Sequence, residues 1–170
     1  KESYDALIKE YDFWQTNRIA PNGLNIYGAH GDYTKEYTER KYNYFKYRYN
    51  GFEAKDDDEK STCAHTIVTM CESGWDCTSR FENAGEYYNP VDLNSLLYGL
   101  EKSMEKFAVI LRNGEDGLWR ERAELRKGKI TKYMLDKKSG VFLDWNFKEE
   151  RFSPDFSVAS LYPLFVGISE

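Results

Sequence analysis

The sequence has few of the residues that build metal centres or disulfide frameworks. Its three cysteines, Cys63, Cys71 and Cys77, are odd in number, and their spacing suits neither a zinc site nor paired disulfides. Its only two histidines, His30 and His65, stand apart in the chain, and isolated histidines serve turns and cores more often than metals. The sequence therefore predicts no metal and no cofactor, and its cysteine usage favours a reducing cytoplasm.

Long apolar runs and an excess of positive charge are also missing. No stretch approaches the roughly 18 apolar residues that a membrane-spanning helix needs, and no signal peptide opens the chain. The 24 lysines and arginines are outnumbered by 29 aspartates and glutamates, which gives a net charge of -5. This balance argues against a nucleic-acid partner and against an anionic membrane surface.

What the chain has is a one-domain length and many aromatic side chains. Its 170 residues are 41% hydrophobic, yet the mean hydropathy of -0.76 is polar for a closed globule. Aromatic residues make up 16% of the chain, with 14 tyrosines, 10 phenylalanines and 4 tryptophans. Such residues build cores, and tyrosine and tryptophan also offer the half-polar flat surfaces on which sugar rings sit, so both interpretations stay open.

Apolar residues recur at helical spacing through most of the chain, which predicts an all-α protein made of antiparallel helical hairpins. An alternation from Val141 to Phe147 predicts one short strand. The predicted helices are one from about Tyr4 to the Pro21-Asn22-Gly23 turn, a helix or aromatic loop over 33–49, one from the acidic run Asp56–Glu59 to Gly74, one opened by Asn89 as N-cap and Pro90 and closed by Asn113-Gly114, one over Leu118–Leu135, and one over Ser157–Ile168 with a kink at Pro163.

The segment 72–81 is the candidate catalytic loop, because it follows an apolar helix and loops on rigid scaffolds concentrate catalytic groups. Gly74 lets a backbone approach a ligand closely. Trp75 can shield a neighbouring carboxyl from water, which makes Asp76 a candidate for the raised pKa of a general acid. Arg80 could hold a substrate hydroxyl or set the field at Asp76. An aspartate beside a tryptophan in a loop is also typical of a cap or turn, and the residues alone leave both open.

Four segments, in the same order and at similar spacing, resemble the trehalase family. Glu72–Arg80 resembles the segment that carries the general acid, and Asn89–Leu96 resembles the helix that follows it. Lys132–Asp144 is similar to the next helix and short strand, and Ser160–Val166 to a further helix. The matches lie within residues 66–170, and four in order are more specific than one motif.

The resemblance implies an inverting glycoside hydrolase that splits the disaccharide α,α-trehalose into two glucoses. It implies a fold that is part of an (α/α)6 toroid, with the site at the centre of the ring. Asp76 would be the general acid that protonates the bridging oxygen, and Gly74 would contact the sugar through its backbone. Ser73, Trp75 and Arg80 would complete the substrate-binding set.

The sequence also departs from the family. The family's base glutamate lies downstream of the last matched segment, so residues 1–170 are expected to be one partial catalytic domain that is inactive by itself. Lys1 at the start and Glu170 after an apolar helix agree with a segment of a longer chain. Of the family's Arg-Pro-Glu sugar clamp, the region 49–54 keeps Glu53 alone. A ring opened in this way exposes helix faces, which predicts self-association.

Three alternatives stay open at this point. The first is a related toroid glucosidase that acts on another substrate, the second a non-catalytic carbohydrate-binding or regulatory remnant, and the third a helical interaction module with an aromatic core. Two further residues receive plain structural roles. Asp92 follows Pro90 and is predicted to serve the helix dipole as a capping residue, and Ser79 has no histidine partner that would make it a nucleophile.

Overall fold

The computed structural model describes residues 1–28, 31 and 33–169, and the prediction for His30 falls outside them. Within these residues the chain forms six α-helices, five strands of two residues each and two short 3-10 helices. In chain order the elements are α1 (Glu2–Asn17), α2 (Lys35–Arg48), α3 (Asp57–Ser73), the 3-10 helix Gly85–Tyr87, β1 (Tyr88–Asn89), α4 (Val91–Leu111), α5 (Asp116–Tyr133), β2 (Leu135–Asp136), β3 (Val141–Phe142), β4 (Trp145–Asn146), β5 (Arg151–Phe152), the 3-10 helix Val158–Leu161 and α6 (Tyr162–Phe165).

Two helical hairpins dominate the structure, as the sequence predicts. Helices α2 and α3 pack together, and α4 packs along α5 and against α6. The buried residues between α4, α5 and the C-terminal segment form one core cluster that includes Tyr98, Ala123, Ile130 and Ala159. A second cluster between α2 and α3 is centred on Phe45, which is fully buried. None of the described helices has the length and apolarity needed to span a bilayer.

Helix α3 begins and ends where local signals place it. The side chain of Asp56 accepts a hydrogen bond from the Glu59 backbone N–H at 2.8 Å, which satisfies one of the free donors of the first turn. At the other end Gly74 adopts a left-handed conformation with φ 73° and donates to the Met70 carbonyl. That conformation suits glycine because it has no Cβ. His65 is buried on this helix, with its Nδ1 2.9 Å from the carbonyl oxygen of Ser61.

Three predicted boundaries are wrong. Asn89 belongs to β1, and Pro90 is itself the N-cap of α4, without a side-chain cap of its own. The predicted strand 141–147 is two strands, since β3 pairs with β2 whereas β4 lies between β1 and β5. The predicted helix 157–168 is a 3-10 turn followed by α6. Pro163 lies in the first turn of α6, where its missing N–H costs no helical bond, and Gly167 turns the chain away with φ 78°.

Candidate functional site

The predicted acid residue lies on a loop that leaves the C-terminus of α3. Gly74 reverses the chain, and Ser73 stabilises the reversal because its Oγ donates to the Met70 carbonyl at 3.0 Å and accepts from the Trp75 N–H at 3.1 Å. Asp76 follows, with an exposed carboxylate that makes no hydrogen bond or ion pair to any described residue. The loop therefore presents a free carboxyl group from a fixed backbone.

Behind this loop lies a buried cluster of one arginine, two aspartates and one tryptophan. Arg80 is 2% exposed, and it donates from Nε and Nη2 to the two carboxylate oxygens of Asp144 at 2.8 and 2.7 Å. Its Nη2 also donates to Asp92 Oδ1 at 2.9 Å. Trp75 donates its indole Nε1–H to Asp92 Oδ2 at 2.7 Å, and the Arg80 guanidinium lies 4.7 Å from the centre of a Trp75 ring. We call these four residues the anchor cluster.

Burial and charge act against each other in this cluster. Burial alone would lower the pKa of Arg80, but hydrogen bonds and charge attraction from Asp144 and Asp92 raise it above its ordinary value, so the guanidinium stays charged. Burial raises the pKa of Asp144 above its usual range, although the hydrogen bond and charge of Arg80 oppose that rise. All the described contacts of the Arg80 side chain go to this cluster and to the Phe81 ring, so Arg80 supports the loop from behind rather than facing a ligand.

The far side of the loop is held by the last residue of α2 and the residue that follows it. Arg48 Nε donates to Cys77 Sγ at 2.8 Å, and Tyr49 Oη donates to the Thr78 carbonyl at 3.4 Å. The end of α3 is tied to the segment after α1, because Glu72 forms an ion pair with Arg18 at 2.9 Å and accepts the Gly28 N–H. Asp76 is thus flanked by residues that come from separate parts of the chain.

Glu53 lies away from this loop. Its side chain is 72% exposed and pairs with Lys46 Nζ at 2.5 Å, and it makes no described contact with residues 73–80. The hydrogen bond from Lys46 lowers the pKa of Glu53. A sugar-binding role for Glu53 stays a prediction to which the contacts of the described residues add no support.

Sequence reasoning missed the roles of Asp92 and Asp144. Asp92 lies in the first turn of α4, as predicted for a helix-dipole residue, but its carboxylate makes no cap hydrogen bond and accepts instead from Trp75 and Arg80. Asp144 sits inside the stretch that alternates like a strand, and the alternation concealed a carboxylate that points inward. The available signal was that both lie in segments resembling the family, next to apolar residues.

The described residues contain no group of three or more histidine, cysteine, aspartate or glutamate side chains arranged to hold a metal ion. A cleft of about 420 Å³ lies between the start of α3 and residues 82–84. No residue of the 73–80 loop lines this cleft.

Matches to known proteins extend along almost the whole chain. The family model described as Trehalase matches residues 1–170. A probable trehalase of Saccharomyces cerevisiae is 32% identical over 199 aligned residues, which cover 99% of this chain and 25% of the relative. The cytosolic neutral trehalase of Kluyveromyces lactis is 32% identical over 202 residues, which cover 99% of this chain and 26% of the relative.

A solved structure agrees with the sequence matches. The neutral trehalase Nth1 from Saccharomyces cerevisiae superposes with a TM-score of 0.76 at 30% identity, over 98% of this chain and 36% of that chain. The match confirms the predicted fold, which is part of an (α/α)6 toroid. The chain spans about a quarter of the length of the curated relatives named above.

Proposed function

Because this chain belongs to the trehalase family, we propose that it carries the general acid of a glycoside hydrolase that splits α,α-trehalose into two glucoses with inversion. The acid is Asp76. The observation that carries this assignment is the geometry of its loop: an exposed, unpaired carboxylate follows a left-handed glycine and a tryptophan that is anchored in the protein interior.

The loop offers a surface on which a sugar ring can lie. A Cβ placed on Gly74 would meet nothing within 4 Å, so the space above its backbone is open to a ligand. Trp75, the next residue, is half-buried, so part of its side chain stays accessible. Ser73 uses its hydroxyl within the loop, and Arg80 is buried beneath it, so we assign these two residues to shaping the site and not to sugar contact.

Inversion requires a second carboxylate. An inverting pair places its carboxyl groups about 6.5–9.5 Å apart, which leaves room for a water molecule on the opposite face of the sugar. Asp76 would protonate the bridging oxygen while the second carboxylate takes a proton from that water. We assign this base to sequence outside the 170 residues, with residues 1–170 as one partial catalytic domain that does not hydrolyse trehalose alone. Like the relatives named cytosolic neutral trehalase, the protein is proposed to act in the cytosol.

The test is Asp76→Asn in the complete protein, with Asp12→Asn as the matched control because Asp12 is an exposed aspartate of α1 outside the loop. Loss of a general acid costs about 10²–10⁴-fold in rate, so glucose release from trehalose should fall by at least that much in the first variant and stay unchanged in the second. NMR of the fresh product should show one glucose of inverted configuration. Near-normal turnover of the Asp76 variant would refute the assignment.

A second candidate is a toroid glucosidase with another α-glucoside as substrate. It is favoured by the position of Glu53, which pairs with Lys46 and not with the acid loop. Parallel assays with trehalose and maltose separate the two candidates, since each predicts a preference for its own substrate. Sugar binding without any turnover by the complete protein would instead indicate a non-catalytic carbohydrate-binding role.

A further inference from the structure

The anchor cluster contributes little net stability to the fold, because its charged groups are buried. It places two carboxylates and one guanidinium at 2–3% exposure, and the desolvation of buried ion pairs often cancels their attraction. Apolar side chains of similar volume would pack such a site at no greater cost. A function in fixing geometry explains the cluster better than a function in stability.

The cluster contains two carboxylates and one guanidinium, and the excess negative charge lies at the N-terminus of α4. Asp144 Oδ1 accepts the backbone N–H of Val91, the first residue of α4, at 2.8 Å, and Asp92 is the next residue. Both carboxylates therefore lie at the positive end of the α4 dipole. Because Pro90 offers no capping side chain, the cap of α4 comes from Asp144, 53 residues further along the chain.

The indole of Trp75 is held from two directions. Its N–H donates a hydrogen bond to Asp92, and the Arg80 guanidinium lies over its face. The guanidinium is in turn held by two hydrogen bonds to Asp144. Bidentate arginine–carboxylate pairs define orientation as well as distance. Trp75 directly precedes Asp76 in the chain, so a Trp75 side chain that is fixed in the interior restrains the backbone from which the Asp76 side chain extends.

We propose that Asp92 and Asp144 are positioning residues for the reaction, which hold the indole of Trp75 and thereby set the position of Asp76 over the bridging oxygen of the disaccharide. They touch no substrate. The proposal rests on the proposed function, in which Asp76 is the general acid. It assigns to the start of α4 a role in proton delivery, in addition to its place in the core.

The test uses a substrate that does not need the proton. Fluoride leaves as an anion without protonation, so hydrolysis of α-D-glucosyl fluoride depends on the base and the sugar site but not on the exact position of an acid. Hydrolysis of trehalose depends on all three. A defect in acid positioning should therefore appear with trehalose and be nearly absent with the fluoride.

In the complete protein, Asp92→Asn keeps an oxygen acceptor for the indole but removes the charge that pairs with Arg80. A misplacement of about 1 Å can cost 10²-fold, so kcat for trehalose should fall by about 10–100-fold with little change in KM. The rate with α-D-glucosyl fluoride should stay close to that of the parent. Asp144→Asn, which leaves the hydrogen bond from the indole to Asp92 in place, should show a smaller loss in the same direction.

Asp12→Asn is the matched control, because it makes the same change at an exposed aspartate of α1. It should leave both substrates unaffected. Equal losses on both substrates in Asp92→Asn, or full trehalose activity in that variant, would overturn the proposal. Failure of the proposed function is recognised separately, since Asp76→Asn would then retain trehalose hydrolysis.

Discussion

Replacement of Arg126 by methionine should lower the stability of the fold more than the same replacement of any surface arginine. Arg126 lies on α5 at 6% exposure and donates from Nε to Glu101 Oε1 at 2.9 Å. Its Nη1 donates to the side-chain oxygens of Asn25 at 2.8 Å and of Asn94 at 3.3 Å. One guanidinium thus joins α5 to α4 and to the segment after α1.

The size of the expected loss in stability follows from the buried groups that remain after Arg126 is replaced. Glu101 is 1% exposed, and without Arg126 its carboxylate keeps only the hydroxyl of Tyr11, which donates to Oε1 at 2.9 Å. Burial and the charge of Glu101 raise the pKa of Tyr11 to about 12, so that hydroxyl stays protonated across the assay range. Removal of one partner of a buried pair costs about 3–5 kcal/mol. For a chain of this length such a loss lowers the melting temperature by about 10 °C.

Thermal and guanidinium unfolding followed by circular dichroism would measure the loss. Arg120→Met on the same helix is the control, since the Arg120 side chain is 57% exposed in its pair with Glu105 and its removal should change the transition little. The double variant Arg126→Met with Glu101→Leu should recover part of the lost stability, because no buried charge is then unpaired. Equal midpoints for the two single variants would refute the reasoning.

Gly128→Ala in α5, where a Cβ would meet nothing within 4 Å, should stabilise the fold by about 0.5–1 kcal/mol. Gly74→Ala should destabilise it by about 1–2 kcal/mol, because φ at this position is 73°. The melting temperatures of the two variants should therefore shift in opposite directions. Hydrogen bonds from lysine and arginine lower the pKa of Glu105, so its contribution to stability is present above the ordinary glutamate pKa of about 4.3 and is lost as pH falls through the lowered value. Melts of Glu105→Gln at pH 7 and pH 3 should therefore differ from the parent more at pH 7. Finally, the exposed side chains of Leu164 (58%) and Phe165 (81%) support the predicted self-association; light scattering should show oligomers that Phe165→Ser reduces, and a compact parent monomer that binds no hydrophobic dye would contradict it.

The parts of the fold that the sequence predicts are those set by neighbouring residues. The start of α3 at Asp56 and its end at Gly74 are correct because each cap bonds to a backbone group within four residues. The start of α4 is wrong by one residue because its cap, Asp144, comes from a distant segment. The helix predicted over 157–168 is mostly 3-10 turn and loop because the apolar spacing there reflects packing on α4 rather than helical continuity.

The same distinction applies to the candidate site. The position of Asp76 on a loop after a glycine could be predicted from the residues, and the family resemblance gave it a role. The partners of Trp75 and Arg80 could not, because their hydrogen bonds cross 12 to 64 residues of chain. The sequence therefore predicts the position of Asp92 at the start of α4 but not its hydrogen bonds to Trp75 and Arg80.

The separation of Arg80 and Asp144 along the chain affects how the loop folds during protein synthesis. These two residues are separated by 64 positions, and the hydrogen bonds between them fix the back of the acid loop. A nascent chain that has emerged as far as Asp76 does not yet include Asp144, which holds this loop from behind through Arg80. Contacts between distant positions form late because a long loop must close first. The loop that carries Asp76 therefore acquires its geometry only after α4, α5 and β3 have left the ribosome.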